Sequence, residues 1–234
     1  KLGKAGFYIG QYQVEHPNKM FCKFIFFRGK THKQEYYLEF VNNRGPKKLH
    51  TGFSLSSKNK LKNSLSSLKS LQPKYEHKNY DWKKNSKDSL PGWNFIRFPK
   101  RKSELVIWVT EYEKYNIKPQ KSKSKTKTTN PNGVESLEGF YFELSNNDLK
   151  LFTKLLGKPV KNYFKLQNGI KLFYDLAKTT KMKSVVVSTK KYNLFKKKYK
   201  YDFIAKVGKL EGLMILNPSI GWDIVVINEK SSLK

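Results

Sequence analysis

The sequence predicts an α+β fold: two similar modules, each a run of strands with a helix inserted, with mixed sheet lining a cleft. Two observations predict it. The first is a repeated hairpin. Gly92-Trp-Asn-Phe-Ile-Arg-Phe-Pro, a turn, and Ser103-Glu-Leu-Val-Ile-Trp-Val-Thr-Glu return as Gly212-Leu-Met-Ile-Leu-Asn-Pro, a turn, and Trp222-Asp-Ile-Val-Val-Ile-Asn-Glu. The second is the order of the weaker matches upstream of it. Thr51-Gly-Phe-Ser-Leu-Ser-Ser-Lys matches Lys183-Ser-Val-Val-Val-Ser-Thr-Lys, Tyr36-Tyr-Leu-Glu-Phe matches Leu172-Phe-Tyr-Asp-Leu, and Phe24-Ile-Phe-Phe-Arg-Gly matches Phe164-Lys-Leu-Gln-Asn-Gly. A repeat in one order constrains architecture before any motif is weighed. Hairpin composition common to all strand-rich segments is the competing explanation.

Each element follows from local pattern. Residues 7–14, 20–27, 34–41 and 50–55 read as strands, with Arg28-Gly-Lys-Thr-His as a turn. Leu61, Leu65, Leu68 and Leu71 recur at helical spacing, so residues 58–71 are expected to form an amphipathic helix that Pro73 stops. Residues 74–90 are polar and aromatic and read as a loop. Residues 117–133 carry a Lys/Ser/Thr run and Asn130-Pro-Asn-Gly, which predicts a mobile stretch. Modules of residues 1–117 and 136–234 with a linker at 118–135 follow. In the second half, a strand at Phe140 precedes a helix capped at Asn146 or Asn147 and ended by Gly157. Strands at Tyr163, Lys171 and Ser184, a short helix at residues 192–199, a strand near Tyr201 and the final hairpin complete it. Lys1-Leu-Gly-Lys matches the helix end Leu155-Leu-Gly-Lys, so the first module is expected to lack its opening strand and helix here.

Composition narrows the function. An apolar fraction of 38% with 15% aromatics supports a packed core. No apolar run is long enough for a membrane-spanning helix. Cys22 is the only cysteine, which excludes an internal disulfide, argues against a cysteine-based zinc site and fits a reducing, cytoplasmic setting. The net charge of +30 suggests nucleic acid or another polyanion. Yet 44 of the 48 basic residues are lysine, spread over nearly every segment, and arginine is the residue that reads phosphate and guanine bidentately. Codon bias with solvated lysines is the competing reading; weak non-specific polyanion binding is expected on either. No P-loop, dinucleotide fingerprint or nucleophile elbow is present.

Glu138-Gly-Phe-Tyr-Phe-Glu-Leu-Ser, the helix from Asp148 and the closing Asn217-Pro-Ser-Ile-Gly-Trp-Asp-Ile-Val-Val resemble a module of the vicinal-oxygen-chelate superfamily, the unit of glyoxalase I and bleomycin-resistance proteins. Tyr37-Leu-Glu-Phe, Gly52-Phe-Ser-Leu-Ser-Ser and Leu105-Val-Ile-Trp extend the resemblance to the first half. It implies paired βαβββ modules, the first truncated at its start, around a small-molecule cleft that often holds a divalent metal. Catalytic members place His, Gln or Glu on a module's first strand and Glu on its last. Here those positions fall on Gly139 or Phe140 and on Ile224 or Val225, with Asp223 adjacent and Glu104 parallel in the first half. No metal or other cofactor is therefore expected.

The expected function is a glyoxalase-like small-molecule-binding protein, independent of metal, with enzymatic activity left open and no catalytic residue assigned. A lysine-rich nucleic-acid or polyanion binder is the alternative, and a non-catalytic scaffold or interaction module the third reading. The candidate ligand contacts are Tyr37, Glu39, His50, Trp108, Tyr141, Tyr174 and Asp175, on strands that should face the cleft. Aromatics there suit a flat ligand and plain core packing alike, and strand alternation lets only every second residue face inward.

Overall fold

The computed structural model describes residues 1–9, 14–15, 21–28, 35–42, 51–57, 59–78, 93–99, 103, 105–112, 130–207, 210–217 and 221–232. In chain order the strands are β1 (Val14–Glu15), β2 (Phe21–Arg28), β3 (Glu35–Asn42) and β4 (Thr51–Ser56). Helix α1 (Leu61–Ser64) and a 3-10 turn (Lys69–Leu71) precede β5 (Lys74–Lys78), β6 (Trp93–Arg97) and β7 (Leu105–Tyr112). Then come β8 (Val134–Leu144), α2 (Asn146–Leu156), β9 (Tyr163–Lys165), β10 (Lys171–Leu176), β11 (Lys181–Thr189) and α3 (Tyr192–Lys198). The chain closes with β12 (Phe203–Val207), β13 (Leu210–Ile215), β14 (Asp223–Asn228) and α4 (Glu229–Ser232). The fold is α+β, with mixed, curved sheets that do not close.

Packing groups residues 1–49 with 126–234 in one compact unit and leaves residues 50–125 as a second. The repeat is one of connectivity. In the second unit the strand order is β4-β7-β6-β5, with β4 parallel to β7 and the other pairs antiparallel. In the first unit β11, α3, β12, β13 and β14 follow the same route: β11 is parallel to β14, and the order runs β11-β14-β13-β12. Both are βαβββ modules whose first and last strands pair in parallel. The antiparallel pairs β2–β3 and β9–β10 repeat as well, and β8 joins β10 in parallel and β11 antiparallel.

Helices cover one face of each sheet. Phe152 of α2 lies 5.7 Å from Phe142 and 5.9 Å from Phe164, all fully buried. In the second unit Leu61 and Leu68 are buried along with Phe53, Leu55, Ile96, Ile107 and Val109. Burying such side chains stabilises by roughly 1.5–3 kcal/mol each.

Several expectations are corrected. The helix foreseen over residues 58–71 is a single turn and a 3-10 turn, because its lysines lack acidic partners and its N-cap, Lys60, makes no side-chain bond. The Glu111 carboxylate instead accepts the Leu61 N–H at 2.7 Å, capping from another strand. Residues 74–78 form β5 rather than a loop; the strand carries polar residues whose bonds end on buried Asn94, which accepts from Tyr75 Oη at 2.7 Å and pairs with His77 Nδ1 at 2.6 Å. Ser145, not Asn146 or Asn147, caps α2, accepting from the Asp148 N–H at 3.3 Å. Gly157 ends that helix at φ 87° as expected.

The largest difference concerns Asn130-Pro-Asn-Gly. Residues 113–129 lie outside the described residues, but this turn is held in place rather than mobile, with Asn130 and Asn132 buried. Asn130 donates to the carbonyls of Phe26 (3.3 Å) and Val134 (3.0 Å) and accepts from the Tyr8 N–H (3.0 Å). Asn132 donates to the Ala5 carbonyl at 2.8 Å and accepts from the Val134 N–H at 3.0 Å. The two amides replace backbone partners that an extended chain cannot supply at this junction. Asn130→Ala leaves three backbone groups without their partner and is expected to destabilise by about 2–4 kcal/mol, read by urea denaturation; a loss below about 0.5 kcal/mol would show that water takes the amide's place.

Candidate functional site

In the first unit, the sheet face turned away from α2 is filled. Register aligns Gly139, Val186 and Val225 in one row across β8, β11 and β14. Phe173, Val186, Val225 and Ile227 form a buried cluster there, against which Tyr141, Tyr163 and Met214 pack. Val186, Val225 and Ile227 have no exposed surface.

That row is also where the resemblance puts a metal. Glycine has no donor and valine none either. Taking Phe140 and Ile224 instead gives the row Phe140–Val185–Ile224, which is no better supplied. Asp223, one residue away, has its carboxylate on the Asn217 N–H at 2.8 Å, and Glu104 lies outside the described residues. Among the described residues no three His, Cys, Asp or Glu side chains converge on a possible ion. These residues do not fit a divalent metal. Position 139 has no room for a ligand: a Cβ there would lie 2.2 Å from the Lys171 carbonyl oxygen, on the backbone of β10.

The candidate contacts among the described residues divide among four places. Tyr141 and Asp175 meet, the phenol donating to the carboxylate. Next to them Glu143 takes Lys181 at 3.0 Å and Lys183 at 3.2 Å, and the Lys181 hydrogen bond first of all holds its carboxyl below the usual range. Tyr174 alternates to the opposite face, where it is buried 5.5 Å from the Phe164 ring. Tyr37 and Glu39 lie on the exposed side of β3, with Tyr37 edge-on to Phe24 at 5.4 Å. His50 lies outside the described residues.

Trp108 belongs to the second unit, on the sheet face equivalent to the filled one. Here the face is partly open: Thr110 is buried and Trp93, Phe95 and Trp108 half-buried. Gly52, Ser54 and Ser56 of β4 are exposed, and a Cβ on Gly52 would sit 2.5 Å from the Trp108 ring, so the glycine lets the indole lie across the strand. Trp108 shares a row with Ser54 and Arg97, and the next row holds Ser56, Thr110 and Phe95. Trp93 stands edge-on to Phe95 at 6.0 Å and 6.5 Å from Tyr112. The Arg97 guanidinium lies 5.9 Å from the Phe95 ring centre and 3.8 Å from Glu76. The Ser54 and Thr110 hydroxyls bond to each other at 2.8 Å. Sequence reasoning singled out Trp108 but not Phe95, Tyr112, Ser54, Thr110 or Arg97. Alternation from Trp93 and back from Tyr112 would have found the aromatic members; the hydroxyl pair needs the register. A separate shallow depression of about 500 Å³ lies at the start of α2, between Ser145 and Leu176.

Two outcomes follow. Gly139→His, which restores a ligand type at the metal position, is expected to destabilise by more than about 2 kcal/mol and to bind no zinc in a metal titration. Glu143→Gln is expected to cost under about 1 kcal/mol at pH 7. Because folding lowers this carboxyl's pKa, the stabilisation is present above the unfolded value and fades as pH falls from about 4.3 downward, so wild type and variant should converge in denaturation curves at pH 2.

No family model matches the sequence, and no curated protein matches it. Solved structures do match in fold. A hypothetical protein from Staphylococcus aureus superposes with a TM-score of 0.56 at 13% identity, covering 95% of this chain and 90% of that one. Homoprotocatechuate 2,3-dioxygenase from Arthrobacter globiformis gives 0.51 at 12% identity, over 97% and 76%. A fusion of a xylose isomerase-like TIM barrel with a 4-hydroxyphenylpyruvate dioxygenase gives 0.52 at 9% identity; the match takes in 97% of this chain but only 46% of the fusion. Paired βαβββ connectivity and these likenesses together give the chain the vicinal-oxygen-chelate fold.

Proposed function

We propose that this is a metal-independent, glyoxalase-like small-molecule-binding protein, built of modules at residues 1–117 and 136–234, that takes a flat, largely apolar ligand on the open face of β4, β7 and β6. One contrast carries the reading. The same face of two sheets with one connectivity is filled by valine, isoleucine and phenylalanine in the first unit, with Val186 and Val225 at no exposure. In the second it holds glycine and serines beside Trp93, Phe95, Trp108 and Tyr112, and Tyr112 is 49% exposed. An aromatic wall beside small residues suits a planar ring, and the exposed Ser54 hydroxyl, held by buried Thr110, and Arg97 supply polar contacts that orient it.

Ligand discovery by native mass spectrometry against a metabolite mixture, followed by tryptophan-fluorescence titration, tests this. Trp108→Ala is expected to weaken the identified ligand about 10- to 100-fold, the worth of one buried aromatic contact, while Trp108→Phe retains most of the affinity. EDTA and a rise in salt should leave binding unchanged. Loss of affinity on chelation would restore a metal-dependent reading. Retention of oligonucleotides that falls steeply with salt and ignores Trp108→Ala, with no small molecule bound, would favour the lysine-based polyanion binder.

A further inference from the structure

We infer that the surface made by α3 and the edge strand β12 docks on anionic lipid headgroups. Residues 190–206 contain seven lysines, no arginine and one acidic residue, Asp202. Asp202 is already neutralised, since Lys1 donates to it at 3.0 Å and holds its carboxyl below the usual range. Glu229 stands 3.9 Å from Lys190. Among the described residues, Lys196, Lys197 and Lys198 at the end of α3 enter no ion pair, and all three are exposed. Glu211 faces Lys206 across β13 and acts on Tyr192 at the start of α3, but it is one carboxylate against a lysine excess, and a surplus of one sign calls for an anionic partner.

Apolar residues in the same stretch say which anion. Leu194, Phe203 and Ile204 are 52%, 46% and 48% exposed, the densest run of exposed large apolar side chains among the described residues. On β12, Ile204 falls in the row of Leu213, Val226 and Val187 on the helix-covered side, while Phe203 falls in the row of Met214, Val225 and Val186 on the other. Leu194 and Ile204 are therefore the apolar members offered beside α3, and β12 ends its sheet with β13 as its one partner among the described residues. A phosphodiester backbone offers leucine and isoleucine nothing to bury against, and arginine would serve it better. A bilayer interface takes both parts: apolar side chains enter the boundary of the acyl chains while lysine stems reach back to the headgroups. No helix of the described residues is long and apolar enough to cross a membrane, so attachment at the surface is what this patch offers.

Co-sedimentation of the full chain with vesicles tests it. Vesicles of phosphatidylcholine with phosphatidylserine should retain the protein and vesicles of phosphatidylcholine alone should not, with binding weakened by salt. Reversing Lys196, Lys197 and Lys198 to Glu should lower partitioning about a hundredfold or more, because each basic residue near an anionic surface contributes about fivefold. Leu194→Ser with Ile204→Ser, which leaves the charge unchanged, should lower it about tenfold. Both variants replace exposed side chains, and an unchanged melting temperature confirms that they fold. Equal retention by both vesicle types overturns the inference. So does binding indifferent to the serine pair, which leaves plain polyanion adhesion, and so does no retention at all, which leaves the lysines as guards of an exposed sheet edge.

Discussion

The sheet of the first unit depends on β8, and β8 depends on position 139 having no side chain. The strand has β10 on one side and β11 on the other. At Gly139 the neighbouring backbone comes so near that a Cβ would meet the Lys171 carbonyl oxygen at 2.2 Å. Glycine loses more backbone freedom on folding than other residues, and here the close strand contact offsets that. The same glycine opens the row that Val186 and Val225 complete, so the packing of the filled face and the lack of metal donors share one cause. Gly212 plays a similar part on β13, where a Cβ would press on Val225 at 2.6 Å and Ile227 at 2.8 Å.

The two equivalent faces show how one connectivity serves two ends. On β11 the positions facing the filled side include Val186, and its row neighbour on β14 is Val225. On β4 the equivalent places are Gly52, Ser54 and Ser56, which cannot fill a core. The helix-covered sides are alike, with Phe53 and Leu55 buried in one and Val185 and Val187 in the other. The covered side supplies a core in both modules, the filled side adds a second one in the first unit, and the second side of the smaller sheet is left to vary. Its aromatics gain from edge-on contacts with one another while remaining partly exposed.

Much of this was legible in the sequence, for physical reasons. Both hairpins are short apolar runs broken by a proline turn, so β6, β7, β13 and β14 lie where the repeated hairpin put them. The ordered matches upstream located β2–β3 against β9–β10 and β4 against β11. What escaped notice depends on partners distant in sequence. Strand β5 has polar residues whose pairing lies with Asn94, and Asn130 and Asn132 look like turn residues until Ala5, Tyr8 and Phe26 come near. Tyr174 and Asp175 show the limit at the candidate site. Both were named, and alternation assigns them to opposite faces, but which one shares a side with Tyr141 emerges only from the pairing of Phe173 with Tyr141.

The bonds of Asn130 and Asn132 bear on the order of events at the ribosome. Residues 50–125 contain all the strands of their own sheet, so that unit has its partners as soon as β7 is made. Residues 1–9 and the β2–β3 pair are synthesised earlier but find Asn130, Asn132 and β8 only after the whole intervening unit has emerged. Such contacts span more than a hundred residues, and their closure entropy must be met before they stabilise anything. This segment, made before the intervening unit, is thus fixed after it, and until then Ile25, Phe27 and Leu38, buried in the finished protein, stay open to chaperones and to neighbouring chains.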